Sequence, residues 1–167
     1  MKKRLLMGAV AALVVCILLW RFIPRSAKTV TPSDTSAVSS FTAISMVGGN
    51  RGGEPYFDIY RIDSANATSE NIQEIAEILK TSRYFPDFRN LIPWGIDSLS
   101  AGRNYDGRSV TVSFVNGEAY SSVTFHSPTL ITVDTQDTSG FRIYHPTNPK
   151  TLDKLVEYIE THGVLQQ

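Results

Sequence analysis

"RSVTVSFVNGEAYSSVTFH", residues 108–126, is the stretch that decides how this chain folds. Val110, Val112 and Phe114 fall on alternate positions, the spacing that turns every second side chain of a strand to one face. Asn116-Gly117 follows, a pair suited to a tight two-residue hairpin turn, and "AYSSVTFH" returns with the same β-rich composition. The stretch predicts an antiparallel hairpin with one apolar face, and that face needs a cover.

Downstream, "TLITVD" and "FRIY" predict two further strands around "TQDTSG"; upstream, "FTAISMV" (41–47) and "YFDIYRID" (56–63) predict a second hairpin about the glycine-rich loop "GGNRGGEP". The cover comes from two amphipathic segments. "TSENIQEIAEILKTSR" places Ile72, Ile75, Ala76 and Leu79 at helical spacing, with Thr68 or Ser69 able to cap the start. Asn148-Pro149 opens the other, where Leu152, Leu155, Val156 and Ile159 form the stripe and Gly163 ends it. Between the first helix and the central hairpin, "YFPDFRNLIPWGIDSLSAGRNYDG" shows no period and reads as a long excursion. The order β-β-α-loop-β-β-β-β-α predicts one α+β domain over residues 41–167. Its sheet is mainly antiparallel, of five to six strands, with both helices packed on one face.

The first forty residues have a different character. From Leu5 to Ile23 an apolar run is interrupted only by Arg21; as a helix it reaches roughly 28 Å, the thickness of a bilayer's hydrocarbon layer. It is longer than the apolar core of a secretory leader, and no small-x-small cleavage triplet follows it closely. Lys2, Lys3 and Arg4 precede it and hold the tail inside. Cys16 follows Val15 inside the run, an unsuitable setting for lipidation. The expected organisation is a cytoplasmic tail (1–4), a single-pass transmembrane signal anchor (5–23), a flexible Ser/Thr-rich stalk (24–40) and an extracytoplasmic body (41–167). The protein is thereby placed at the cell membrane, with the membrane as its first partner.

Residues 41–167 contain ten Lys and Arg against fifteen Asp and Glu, a net charge of −5 hidden by the +5 of the preceding forty. An acidic body excludes nucleic acid as the expected partner, because phosphate neutralisation needs clustered basic residues. The absence of cysteine from this body excludes disulfides and thiolate metal sites.

"YFDIYRID", "ENIQEIAEILK", "RSVTVSFVNGEAY" and "FRIYHPTNPKTLDKLVEYI", together spanning about residues 56–161, resemble small membrane-anchored extracytoplasmic domains of unknown function from Gram-positive bacteria. The resemblance implies an envelope location and brings no catalytic residues with it.

Chemistry is sparse. "GGNRGGEP" leads into a strand and lacks the helix start and lysine of a phosphate cradle, so it reads as a mobile hairpin loop. His126 and His145 lie at strand ends, where Asp134 or Asp137 can join them, but no HxH or HxxxH spacing marks a metal site. No GxSxG or SxxK motif is present, and no cofactor or metal is expected. The excursion "SRYFPDFRNLIPWG" mixes aromatic and basic residues in the manner of binding hot spots. Tyr84, Phe85, Phe88, Arg89 and Trp94 are its candidate binding residues, with Tyr84 and Trp94 the expected exposed members; the alternative is that they cover the end of the sheet. The expected function is noncatalytic binding of an envelope protein or cell-wall component. The competing expectation is a cell-envelope hydrolase using His126 or His145 with a nearby carboxylate.

Overall fold

A computed structural model describes residues 2–32, 34–91, 107–136 and 141–166. The expected α+β architecture is present, with three α-helices and one antiparallel sheet among the described residues. In chain order the elements are α1 (Lys2–Arg21), β1 (Ser40–Arg51), β2 (Glu54–Asp63), α2 (Ser69–Lys80), β3 (Tyr84–Pro86), β4 (Arg108–Asn116), β5 (Ala119–Ser127), β6 (Leu130–Thr135), β7 (Arg142–Pro146), α3 (Lys150–His162) and β8 (Val164–Gln166). The sheet has eight strands in the order β3-β7-β6-β5-β4-β1-β2-β8, where five to six were expected. The two additional strands, β3 and β8, are its edges, and each is three residues long, too short to show a period.

Alternation settles the faces. Phe41 and Ala43 of β1, Ile62 of β2, Val110, Val112 and Phe114 of β4, Val123 and Phe125 of β5 and Val133 of β6 share one buried cluster with Ile75 and Leu79 of α2 and Leu152, Leu155 and Ile159 of α3. Both helices therefore lie on one face. The other carries hydroxyls, paired across strands as Thr111–Thr124 at 3.1 Å and Ser113–Ser122 at 2.9 Å. Of the two expected caps Thr68 is the one used, in a reciprocal box with Asn71, and Ser69 is the first helical residue.

Two turns differ from the sequence reading. Asn116 pairs with Ala119, so the two-residue loop is Gly117–Glu118; Gly117, at φ +60°, takes the first central position that a II′ turn reserves for glycine. The glycine-rich stretch is mostly strand and not a mobile loop. Gly48 faces Phe57 and Gly49 faces Tyr56 across β1 and β2, and a Cβ on either would lie 2.6 Å and 2.8 Å from those rings. The glycines leave room for aromatic side chains that lie across the bare backbone.

The N-terminal segment also departs from expectation. Arg25 forms an antiparallel bridge with Tyr84, its N–H donating to the Tyr84 carbonyl at 2.8 Å and its carbonyl accepting in return at 3.0 Å. Ala27 and Val30, in and beside a one-turn 3₁₀ helix, are buried in the main cluster. Residues 25–31 are thus docked on the body, because two small apolar side chains fit beside α2, and only the rest of 24–40 is left for a stalk. As for the expected anchor, no helix among the described residues is long and apolar enough to cross a membrane. α1 begins with Lys2, Lys3 and Arg4 and stops at Arg21, two residues short of the expected end. The side chains of residues 1–7, 18 and 21 lie outside the described set.

Candidate functional site

Docking of Arg25 on β3 creates a cavity of about 320 Å³ at this edge of the sheet, on the face that also holds the helices. Phe22, Arg25 and Thr29 line it from the N-terminal segment, Asp87 and Asn90 from the turn after β3, and Val133, Thr135, Arg142 and Tyr144 from β6 and β7.

The turn after β3 is held by a compact set of polar bonds. Asp87 is almost fully buried, and its N–H donates to the Ile143 carbonyl at 3.0 Å. Its Oδ1 accepts from the Arg89 backbone N–H at 2.7 Å and from Arg89 Nε at 3.0 Å; its Oδ2 accepts from Arg89 Nη2 at 2.9 Å and lies 2.8 Å from His145 Nε2. Burial works to raise the Asp87 carboxyl, but the Arg89 and His145 bonds and the Arg89 charge outweigh it and hold the group well below the usual carboxylate range. The same pairing raises Arg89. Asn90 completes the attachment: its amide donates to the Ile143 carbonyl at 2.7 Å and its oxygen accepts from the Ile143 N–H at 2.8 Å, so it stands in for a strand neighbour.

His145 Nδ1 lies 2.8 Å from the Thr129 carbonyl. Each ring nitrogen therefore faces an acceptor within the fold, the Thr129 carbonyl on one side and the Asp87 carboxylate on the other. His126 sits elsewhere, as the extra residue of a β-bulge between Phe125 and Ser127, on the hydroxyl-bearing face with Ser122 and Thr124. There it meets Thr132 Oγ1 at 3.0 Å and shares a cavity of about 270 Å³ with Ser122, Thr124, Asp134 and Phe141. Burial lowers His126 from its ordinary value. Among the described residues no three His, Cys, Asp or Glu side chains gather as a metal site. Asp137 lies outside the described residues.

The five expected binding residues separate. Tyr84 is 0% exposed, and its hydroxyl donates to the Leu79 carbonyl at 2.7 Å, so it belongs to the core and not to a surface. Phe85 and Phe88 are 43% and 63% exposed and flank the Asp87 turn. Arg89 is committed to Asp87, and Trp94 lies outside the described residues. Sequence reasoning missed Arg25, Asp87, Asn90 and Arg142. The one available signal was local, the Asp87-Phe88-Arg89 spacing that permits a carboxylate to bond the backbone and side chain two residues on.

Fold and site together define an α+β protein built on a single sheet, with a polar cavity and exposed aromatics at one edge. Compared with protein-family models, curated proteins and solved structures, the chain matches none.

Proposed function

We propose that the chain is a membrane-tethered extracytoplasmic binding domain, noncatalytic, whose ligand is an envelope protein or cell-wall component. The observation that carries this reading is the pair Phe85 and Phe88, exposed on a turn that Asp87, Arg89, Asn90 and His145 hold rigid. Exposed aromatics on a fixed frame lose little entropy on binding, which is the usual character of an interface anchor. The tether is supported by the apolar run from Leu5 to Ile23 and by the exposure of Val10, Leu13, Val14, Ile17, Leu19 and Trp20 along α1. That much exposed apolar surface is stabilised in an apolar surrounding. Engagement of both His145 nitrogens weighs against a hydrolase built on that residue.

The test compares wild type with Phe88→Ser, as full chain in a neutral detergent, for sedimentation with purified cell-wall fragments and capture of envelope proteins. Binding lost at unchanged melting temperature supports the reading, and equal binding by the two proteins overturns it. In the same cells, release of the full chain from membranes by an alkaline carbonate wash would remove the tether.

A further inference from the structure

We propose that the cavity between the N-terminal segment and β7 binds a phosphate-bearing anion through Arg25 and Arg142. The proposal rests on the binding-domain reading above and names the chemistry of its ligand. The body is acidic overall, yet two guanidinium groups line this one cavity. Among the described residues neither has a carboxylate partner, whereas Arg51, Arg61, Arg89 and Arg108 each do. The one acid in the wall, Asp87, is already engaged by Arg89 and His145 and does not compete for them.

Geometry favours a tetrahedral anion over a planar one. A carboxylate is satisfied by a single bidentate arginine, while a phosphate presents oxygens in several directions and suits donors that come from separate elements. Here Arg25 comes from the docked N-terminal segment, as does the lining residue Thr29, and Arg142 comes from β7. The Arg25 backbone is fixed by its two bonds to Tyr84, which sets where its side chain starts. At about 320 Å³ the cavity is of small-ligand size. Such a phosphate can be free in solution or carried by a lipid headgroup.

The experiment uses the full chain in a neutral detergent or in bilayer discs. One arm titrates inorganic phosphate and pyrophosphate to millimolar concentration; the other compares phosphatidylcholine discs with and without phosphatidylglycerol. Saturable binding is expected in at least one arm, weakened about tenfold or more in R25Q and in R142Q and unchanged in R83Q, whose arginine lies outside the cavity. Saturation by the soluble anions assigns a free phosphate, and saturation only on phosphatidylglycerol assigns a headgroup. Both arginines are exposed, so the variants should fold, and circular dichroism checks each. No saturable binding in either arm, or equal weakening in R83Q, overturns the proposal. If that happens while Phe88→Ser still abolishes envelope binding, the cavity assignment alone falls; if Phe88→Ser has no effect as well, the binding reading falls with it.

Discussion

Tyr84 was expected at the surface, and the structure makes it a structural keystone whose removal is measurable. Its side chain is 0% exposed, and an aromatic buried this way withdraws about 150–250 Å² from water. At about 25 cal/mol per Å² the loss on truncation is about 4–6 kcal/mol, close to the roughly 3–5 kcal/mol of aromatic-to-alanine changes in cores. A domain of this size has only about 5–15 kcal/mol in total and loses about 2–4 °C of melting temperature per kcal/mol. Tyr84→Ala is therefore expected to lower the melting temperature by about 6–20 °C, or to leave the body unfolded. Tyr84→Phe keeps the ring and loses only the bond to the Leu79 carbonyl, worth about 1 kcal/mol and so about 2–4 °C. Phe88→Ala, at an exposed position, should change stability by no more than about 0.5 kcal/mol. The assay is thermal unfolding by circular dichroism of the full chain in a neutral detergent, with urea unfolding alongside. If Tyr84→Ala and Phe88→Ala move the transition equally, or Tyr84→Ala moves it by less than about one degree, the burial argument is refuted.

Two further outcomes follow from single groups. The Asp87 carboxyl is held below its ordinary value, so its contribution is fully present above about pH 3.9, where the unfolded chain titrates, and is lost as the pH falls from there through the folded value. Wild type should lose melting temperature below about pH 4, and Asp87→Asn should flatten that slope; an unchanged slope would show that other carboxylates set it. Ser45 Oγ is fully buried and has no hydrogen-bond partner among the described residues, so Ser45→Ala should be neutral or raise stability by up to about 1 kcal/mol, and a clear drop in melting temperature would reveal a bond to it.

What the sequence revealed was whatever depends on a period. Val110, Val112 and Phe114 alternate, and Ile75, Leu79, Leu155 and Ile159 recur at helical spacing, so the central hairpin, both covering helices and the face they share were legible. What it hid depends on partners far along the chain. Gly48 and Gly49 read as loop because glycine alone says little; they are strand because Phe57 and Tyr56 lie across them. β3 exists because Tyr84, Phe85 and Pro86 meet Pro146, His145 and Tyr144, about sixty residues away, and proline is tolerated there because the strand is at the edge. Ala27 and Val30 sit among serines and threonines, where only contact with α2 shows them to be core. The cavity was least legible, since its arginines come from the expected stalk and from β7, and its acid is bonded to a histidine fifty-eight positions on.

The docked N-terminal segment changes what a tether at α1 would mean. A flexible stalk directly after the helix would let the body turn freely and bring any surface to a partner. Here only Phe22, Ile23 and Pro24 separate the end of α1 from Arg25, which is bonded to Tyr84, which is in turn bonded to Leu79 of α2. Whatever holds α1 therefore holds the β3 edge close by, within the four residue steps from Arg21 to Arg25, at most roughly 14 Å. Under the membrane-tether proposal, the cavity lined by Phe22 and Arg25 would lie near the headgroups. Phe85 and Phe88 flank the Asp87 turn at the same edge of the sheet, so the two proposed binding features would not be independent of the anchor. A ligand confined to the same membrane surface would meet them at an effective concentration set by geometry, so a weak intrinsic affinity would suffice for occupancy.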